Sequence, residues 1–218
     1  MVLALYAHPF SSYCWKAIIA LYENGTAFSF NAVDLGNAAS AAELERLWPL
    51  RKFPVLRDNE KTVIESTIII EYLDLYHPGQ SRLVPIDPKT ALDARFADRF
   101  FDNYIQTPMQ AIVSSALRGG PRDAEVVLNA RTNLETGYAW LEHRIDGREW
   151  VTGNQFSMAD CSAAPALFYA DWSHAISDAY PNVRAYGDRL NARPSVARTI
   201  DEARPYRHFF PLGAPDRD

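Results

Sequence analysis

The chain has 218 residues, 48% of them hydrophobic and 22% charged, enough for one domain or two small ones with real cores, which excludes a disordered or fibrous protein. Its 22 Lys and Arg against 27 Asp and Glu leave a net charge of −5, so no global positive field draws in nucleic acid or anionic lipid. Two cysteines, Cys14 and Cys161, are too few for a disulfide scaffold or a thiolate metal site, and a reduced, cytoplasmic setting is expected.

In chain order, Val2 to Tyr6 suits a buried strand, which His8-Pro9-Phe10 breaks. This apolar start carries no basic leader, so a signal peptide is not expected, and no apolar run reaches the ~18 to 20 residues of a membrane helix. A helical pattern runs from Ser11 through Trp15, Ile18, Ile19 and Tyr22 to a stop at Asn24-Gly25. Phe28, Phe30 and Ala32 alternate as a second strand does, and Ala41 to Leu47 can form a short helix. The segments Phe53 to Leu56 and Lys61 to Ile64 flank Asp58-Asn59-Glu60 as a hairpin would. A third helix, Ser66 to Tyr76, stops at His77-Pro78-Gly79. The order βαβαββα describes a small α/β domain over residues 1–78, with a connection at 79–88. Residues 89–218 carry only helical patterns: Lys89 to Arg118 with a stop at Gly119-Gly120-Pro121, Asp123 to Ile145, Ser157 to Asp171, Asn182 to Ala192 and Ser195 to Arg204. Only the tail Gly213 to Asp218 reads as disordered.

Three short motifs carry candidate chemistry. Ser11-Ser12-Tyr13-Cys14 opens the first helix directly after a strand, where free N–H groups and the positive end of the helix dipole stabilise an anion. Lys52-Phe53-Pro54-Val55-Leu56 puts a proline at the start of a strand, where its missing N–H is tolerated. Glu65-Ser66-Thr67 precedes the apolar run Ile68-Ile69-Ile70; Ser66 would cap the third helix and Glu65 could accept from an ammonium. Each alone is matched by a plain structural role, capping or a strand boundary. Tyr6 reads as core, as do Cys14 and Cys161, while a reactive Cys14 would carry thiol–disulfide exchange instead. The five histidines show no HxxxH spacing or carboxylate pairing typical of a metal site, and no metal is expected.

In order and spacing, the three motifs resemble the thioredoxin-like N-terminal domain of the cytosolic glutathione transferases, with Ser11 in place of the exposed cysteine of a CxxC. Gly153 to Asp160 resembles the same family's capping box and hydrophobic staple, with Ser157 as N-cap, Asp160 at N3 and Phe156 at N′. Ser11-Ser12-Tyr13-Cys14-Trp15-Lys16 is similar to the serine-type, zeta-like SSxxW string, from which it departs at Tyr13 and Cys14. The resemblance implies a thioredoxin-like α/β domain followed by an all-α domain, and glutathione as co-substrate. Ser11 and Ser12 are then the catalytic candidates, and Phe53, cis-Pro54, Glu65, Ser66 and Lys52, with Arg51 less so, hold the tripeptide. A small electrophile meets its thiolate in a cleft between domains, for whose wall Tyr104, Met109, Val113, Phe168 and Trp172 are candidates. The aromatic run Pro205 to Pro211 folds back over the first domain or forms a contact patch. The implied activity is conjugation, or glutathione-dependent isomerisation or dehalogenation, in a cytoplasmic homodimer that pairs one subunit's first domain with the other's second. Two other readings stand beside it: a non-catalytic dimerisation or interaction module of the same fold, and a disulfide reductase using Cys14.

Overall fold

The computed structural model describes residues 3–118 and 123–216. Val2 of the first predicted strand, the stop at Gly119-Gly120-Pro121 and the tail residues Arg217 and Asp218 lie outside the described residues. The chain divides into two compact units, Met1–Val84 and Pro85–Asp218.

In the first unit, β1 (Leu3–Ala7) runs parallel to β2 (Phe28–Ala32) and antiparallel to β3 (Val55–Asp58), which in turn pairs antiparallel with β4 (Lys61–Ile64). The sheet order is β2-β1-β3-β4. Three helices accompany it: α1 (Ser12–Asn24), α2 (Ala38–Leu47) and α3 (Ser66–Tyr76). Helix α1 is buried without interruption from Cys14 to Leu21, so it forms part of the core. It ends at Gly25, whose φ of 67° satisfies the last turn in the left-handed region that glycine enters at little cost. Helix α2 starts earlier than its apolar pattern, because the Asn37 side chain accepts from the backbone of Ala39 and Ser40 and so caps a turn of alanines. Beyond α3 the chain passes so close to the end of α1 that a Cβ on Gly79 would lie 1.9 Å from the Asn24 carbonyl oxygen. Asn24 Nδ2 donates to the His77 carbonyl at 2.6 Å at the same contact.

The second unit is helical among its described residues: α4 (Pro88–Phe100), α5 (Thr107–Leu117), α6 (Ala124–Ile145), α7 (Met158–Ser173), α8 (Pro181–Ala192) and α9 (Pro194–Ala203), followed by a 3₁₀ turn, Arg204–Phe209. The single helix expected from Lys89 to Arg118 is interrupted, since Phe101–Gln106 forms a π-helical segment between α4 and α5. Pro108 supplies the reason. It has no N–H to donate, and its ring would press on the carbonyl four residues back in a regular α-turn. Widening the preceding turn relieves this, and Thr107 donates from both its N–H and its Oγ1 to the Asp102 carbonyl. Helix α7 is buried along most of its length and opens with the expected capping box: Ser157 Oγ accepts from the Ala159 N–H, and Asp160 Oδ2 accepts from the Ser157 N–H at 2.8 Å. Phe156 is buried against Trp150, ring centroids 5.1 Å apart. The tail turns back on its own unit, with Phe210 buried against Tyr169 and Trp172.

Candidate active site

The sheet register gathers the three motifs. Tyr6 pairs with Val55, and Val55 with Ile64, so these residues form one row across β1, β3 and β4. The strand directions then carry Ala7, Pro54 and Glu65 into the next row at the same end of the sheet. From that end the chain enters α1 at Ser12 and α3 at Ser66. Two helix N-termini and the edge of a strand therefore converge on one place, where free N–H groups and aligned dipoles favour anions.

The turn into α1 is heavily braced. The Ser11 N–H donates to the His8 carbonyl at 3.0 Å, closing a turn over Pro9 and Phe10. The Phe10 N–H donates to His8 Nδ1 at 3.1 Å, the His8 N–H to Cys14 Sγ at 3.4 Å, and Trp15 Nε1 to the Pro9 carbonyl at 2.6 Å. Ser11 occupies the N-cap position in extended conformation, φ −92° and ψ 121°, yet its side chain makes no capping hydrogen bond. Ser11, Ser12 and Tyr13 are half-buried. Cys14 is fully buried, and burial pushes its thiol up to about 12 against the opposing hydrogen bonds of the Ser11 side chain and the His8 backbone. A thiol so held is protonated at neutral pH and has no path to a disulfide substrate. Tyr6 directs its hydroxyl away from α1, donating to Glu43 Oε1 at 2.9 Å; burial, then Glu43, raises its pKa.

Across the sheet end, the Phe53–Pro54 peptide is cis. Pro54 is buried, and Phe53 packs against the small core of Val33, Leu44 and Val55. Lys52 and Arg51 are both exposed on the loop before it. The expected cap of the third helix moves by one residue: Glu65, not Ser66, is the N-cap residue, and Ser66 is the first helical residue. The reason lies in the backbone, because Glu65 has φ 70° and ψ 121°, a conformation outside the helix that a non-glycine residue adopts only at a cost of order 1–3 kcal/mol. Glu65 is exposed and Ser66 buried at 5%.

Two participants were not singled out from sequence. Lys16 is 1% exposed in α1, and its Nζ donates to Thr67 Oγ1 at 3.0 Å, tying the first turns of α1 and α3 together. The signal was available as a lone cation within an otherwise apolar helical run. His8 is the other, recognisable only once its ring is seen to cap the turn. Two histidines pair with carboxylates: His77 Nε2 lies 2.7 Å from Asp58 Oδ2, and His174 Nε2 lies 2.6 Å from Glu135 Oε1. Each is a single pair, and among the described residues no group of three or more His, Cys, Asp or Glu is arranged to hold a metal ion. Of the five wall candidates, Met109 and Phe168 are buried, Val113 and Trp172 are half-buried, and Tyr104 is exposed.

Comparison with known proteins agrees with this arrangement. Residues 5–81 match the glutathione S-transferase N-terminal domain and residues 114–189 the glutathione S-transferase C-terminal domain. The chain is 28% identical over 212 residues to a probable maleylacetoacetate isomerase of Vibrio cholerae, covering 94% of this chain and 98% of that protein. It is 31% identical over 169 residues to glutathione S-transferase U7 of Arabidopsis thaliana, covering 77% and 69%. Among solved structures, a glutathione S-transferase of Methylobacterium radiotolerans in complex with glutathione sulfonate aligns with a TM-score of 0.79 at 29% identity, over 92% of this chain and 95% of that one. With both domains matched along a sheet end built from Ser11, cis-Pro54 and Glu65-Ser66, the chain belongs to the cytosolic glutathione S-transferase family.

Proposed function

We propose that this protein activates the thiol of reduced glutathione as a thiolate and delivers it to a small electrophile, by conjugation or by glutathione-dependent isomerisation or dehalogenation. The observation that carries the reading is Ser11: an N-cap serine whose side chain does not cap its helix, at the sheet end that also carries cis-Pro54 and the first turn of α3. A hydroxyl beside a helix N-terminus stabilises a sulfur anion by donating to it, and Ser12 stands next to it as a second donor. A free thiol with a pKa near ~8.5 is only a few per cent ionised at pH 7, so lowering it by ~2 units makes most of it reactive.

In this reading residues 1–78 form the glutathione-binding domain, 79–88 the linker and 89–218 the helical domain. The tripeptide's γ-glutamyl end is held by Glu65 and Ser66, its cysteinyl backbone pairs with Phe53 beside Pro54, and Lys52 answers its glycine carboxylate. The similarity to maleylacetoacetate isomerases, together with Ser11-Ser12 and Trp15, favours a zeta-like class and places a maleyl-type isomerisation first among the activities to test. A cytoplasmic, detoxifying homodimer completes the proposal. The homodimer is supported by apolar surface: Leu92, Phe96, Tyr104 and Trp140 are exposed around α4 and α6, and the last three line a groove of about 850 Å³. A monomer rarely leaves such a surface to water.

Binding to immobilised glutathione, followed by a spectroscopic thiolate titration of the complex and a panel of electrophiles that includes a maleyl-type substrate, tests the reading. Thiolate formation below pH 7.5 with turnover supports it. Binding without thiolate points to the non-catalytic module, and absence of binding sinks the enzyme reading.

A further inference from the structure

We propose that His8 is a positioning residue whose neutral imidazole holds the turn that presents Ser11, so that protonation of His8 releases the turn and lowers activity on the acid side. The proposal rests on the reading of Ser11 given above. His8 to Ser11 form a four-residue turn, with the Ser11 N–H on the His8 carbonyl and Pro9 at the second position, where its fixed φ suits such turns. At the first position of such turns an Asn or Asp side chain often accepts from the N–H two residues on. Here His8 Nδ1 takes that place, accepting from the Phe10 N–H at 3.1 Å. An N–H donor facing Nδ1 requires that nitrogen to be bare, so the ring carries its proton on Nε2.

When a second proton adds, it goes to Nδ1. That nitrogen changes from acceptor to donor and faces the Phe10 N–H donor to donor. The other bonds bracing the turn are insensitive to neutral pH: two end on backbone carbonyls, and the third ends on Cys14 Sγ, whose thiol burial holds near 12. Titratable groups near His8 include this thiol from α1, which meets the His8 backbone N–H, and the Asp34 carboxylate from the loop after β2. Burial of the imidazole lowers its pKa below the usual histidine value, and the charge of Asp34 opposes that shift. Closure of the turn goes with the neutral ring, and the turn releases when the ring takes its second proton.

The substitution His8→Asn separates this role from packing, because Asn Oδ1 occupies the same branch position as His Nδ1 and accepts without titrating. As His8 titrates, the wild-type log(kcat/KM) should fall toward acid pH with a slope approaching two, one proton for the glutathione thiol and one for His8, whereas H8N falls with a slope of one. One pH unit below the His8 midpoint read by NMR, H8N should keep roughly tenfold more of its pH 7.5 activity than the wild type. His8→Leu, which removes the acceptor, should lose activity at every pH. Independently of activity, NMR of the free protein should show His8 with Nε2 protonated and Nδ1 bare at pH 7.5, and the Phe10 and Ser11 amide signals should shift with the midpoint of the His8 ring. A Nδ1-protonated neutral tautomer, amide signals that ignore the His8 titration, or equal acid slopes in wild type and H8N would each overturn the proposal. If the amides follow His8 yet the glutathione complex forms no thiolate, the turn switch stands and the reading of Ser11 as a thiolate donor fails.

Discussion

Ser11 and Cys14 sit one helical turn apart and divide the chemistry of their motif in opposite directions. Ser11 is half-buried at the helix start, and its hydrogen bond is worth more to a thiolate than to a thiol. Ser11→Ala should therefore lower kcat by about 10- to 100-fold while shifting the KM for glutathione by less than about threefold, a split read from steady-state kinetics. Unchanged turnover would remove Ser11 from the mechanism. Cys14 is instead a core group. Its folded pKa is raised from 9.0 to about 12, so between those values the unfolded chain loses the proton and the folded chain keeps it. Stability is full below pH 9 and is lost above it, at about 1.4 kcal/mol per pH unit for this group. Denaturant titrations from pH 8 to 10.5 should show that decline in the wild type and a shallower one in Cys14→Ala; identical slopes would refute the assignment.

At the scale of elements, the proposed site lies at the first turns of α1 and α3, and each departs from the most stable local choice. The cap of α1 lacks its side-chain bond and the cap of α3 lies in the positive-φ region. Glu65→Gly removes about 1–3 kcal/mol of backbone strain and adds about 1 kcal/mol of chain entropy to the unfolded state. Thermal unfolding should thus show stability kept or raised, while affinity for glutathione falls through loss of the carboxylate; a variant that is both less stable and equally avid would contradict this. Contrast the first turn of α7, where the capping rules are obeyed. Ser157 and Asp160 close the capping box, and Asp160 also accepts from Val151 N–H at 3.1 Å and from Tyr186 Oη at 2.6 Å. Burial pushes Asp160 up to about 6 against those donors, a folding device remote from the α1 and α3 turns in sequence.

For the whole molecule, the exposed Leu92, Phe96, Tyr104 and Trp140 predict self-association, and Phe96→Glu should convert a dimer into a folded monomer in sedimentation with the far-UV spectrum unchanged. A wild-type monomer at micromolar concentration would end the homodimer proposal. Much of this protein was determined by sequence alone. The apolar run of β1, the alternation in β2, the turn at Asp58-Asn59-Glu60, the Asn24-Gly25 stop and the Ser157 capping box are local patterns, so the βαβαββα order and the helical second unit were legible in the sequence, while the candidates Ser11, Pro54, Glu65 and Ser66 came from the resemblance of their motifs to a family. What the tertiary structure decided are properties that depend on residues far apart in the chain. The row Tyr6–Val55–Ile64 brings three separate motifs to one sheet end, and Thr67 receives a lysine from 51 residues away. The π-helical segment before Pro108, the positive φ of Glu65 and the role of the His8 ring also escape any pattern of hydrophobicity. Periodicity records which face of an element meets the core, whereas backbone strain, buried partners and tautomers are fixed only when the elements meet.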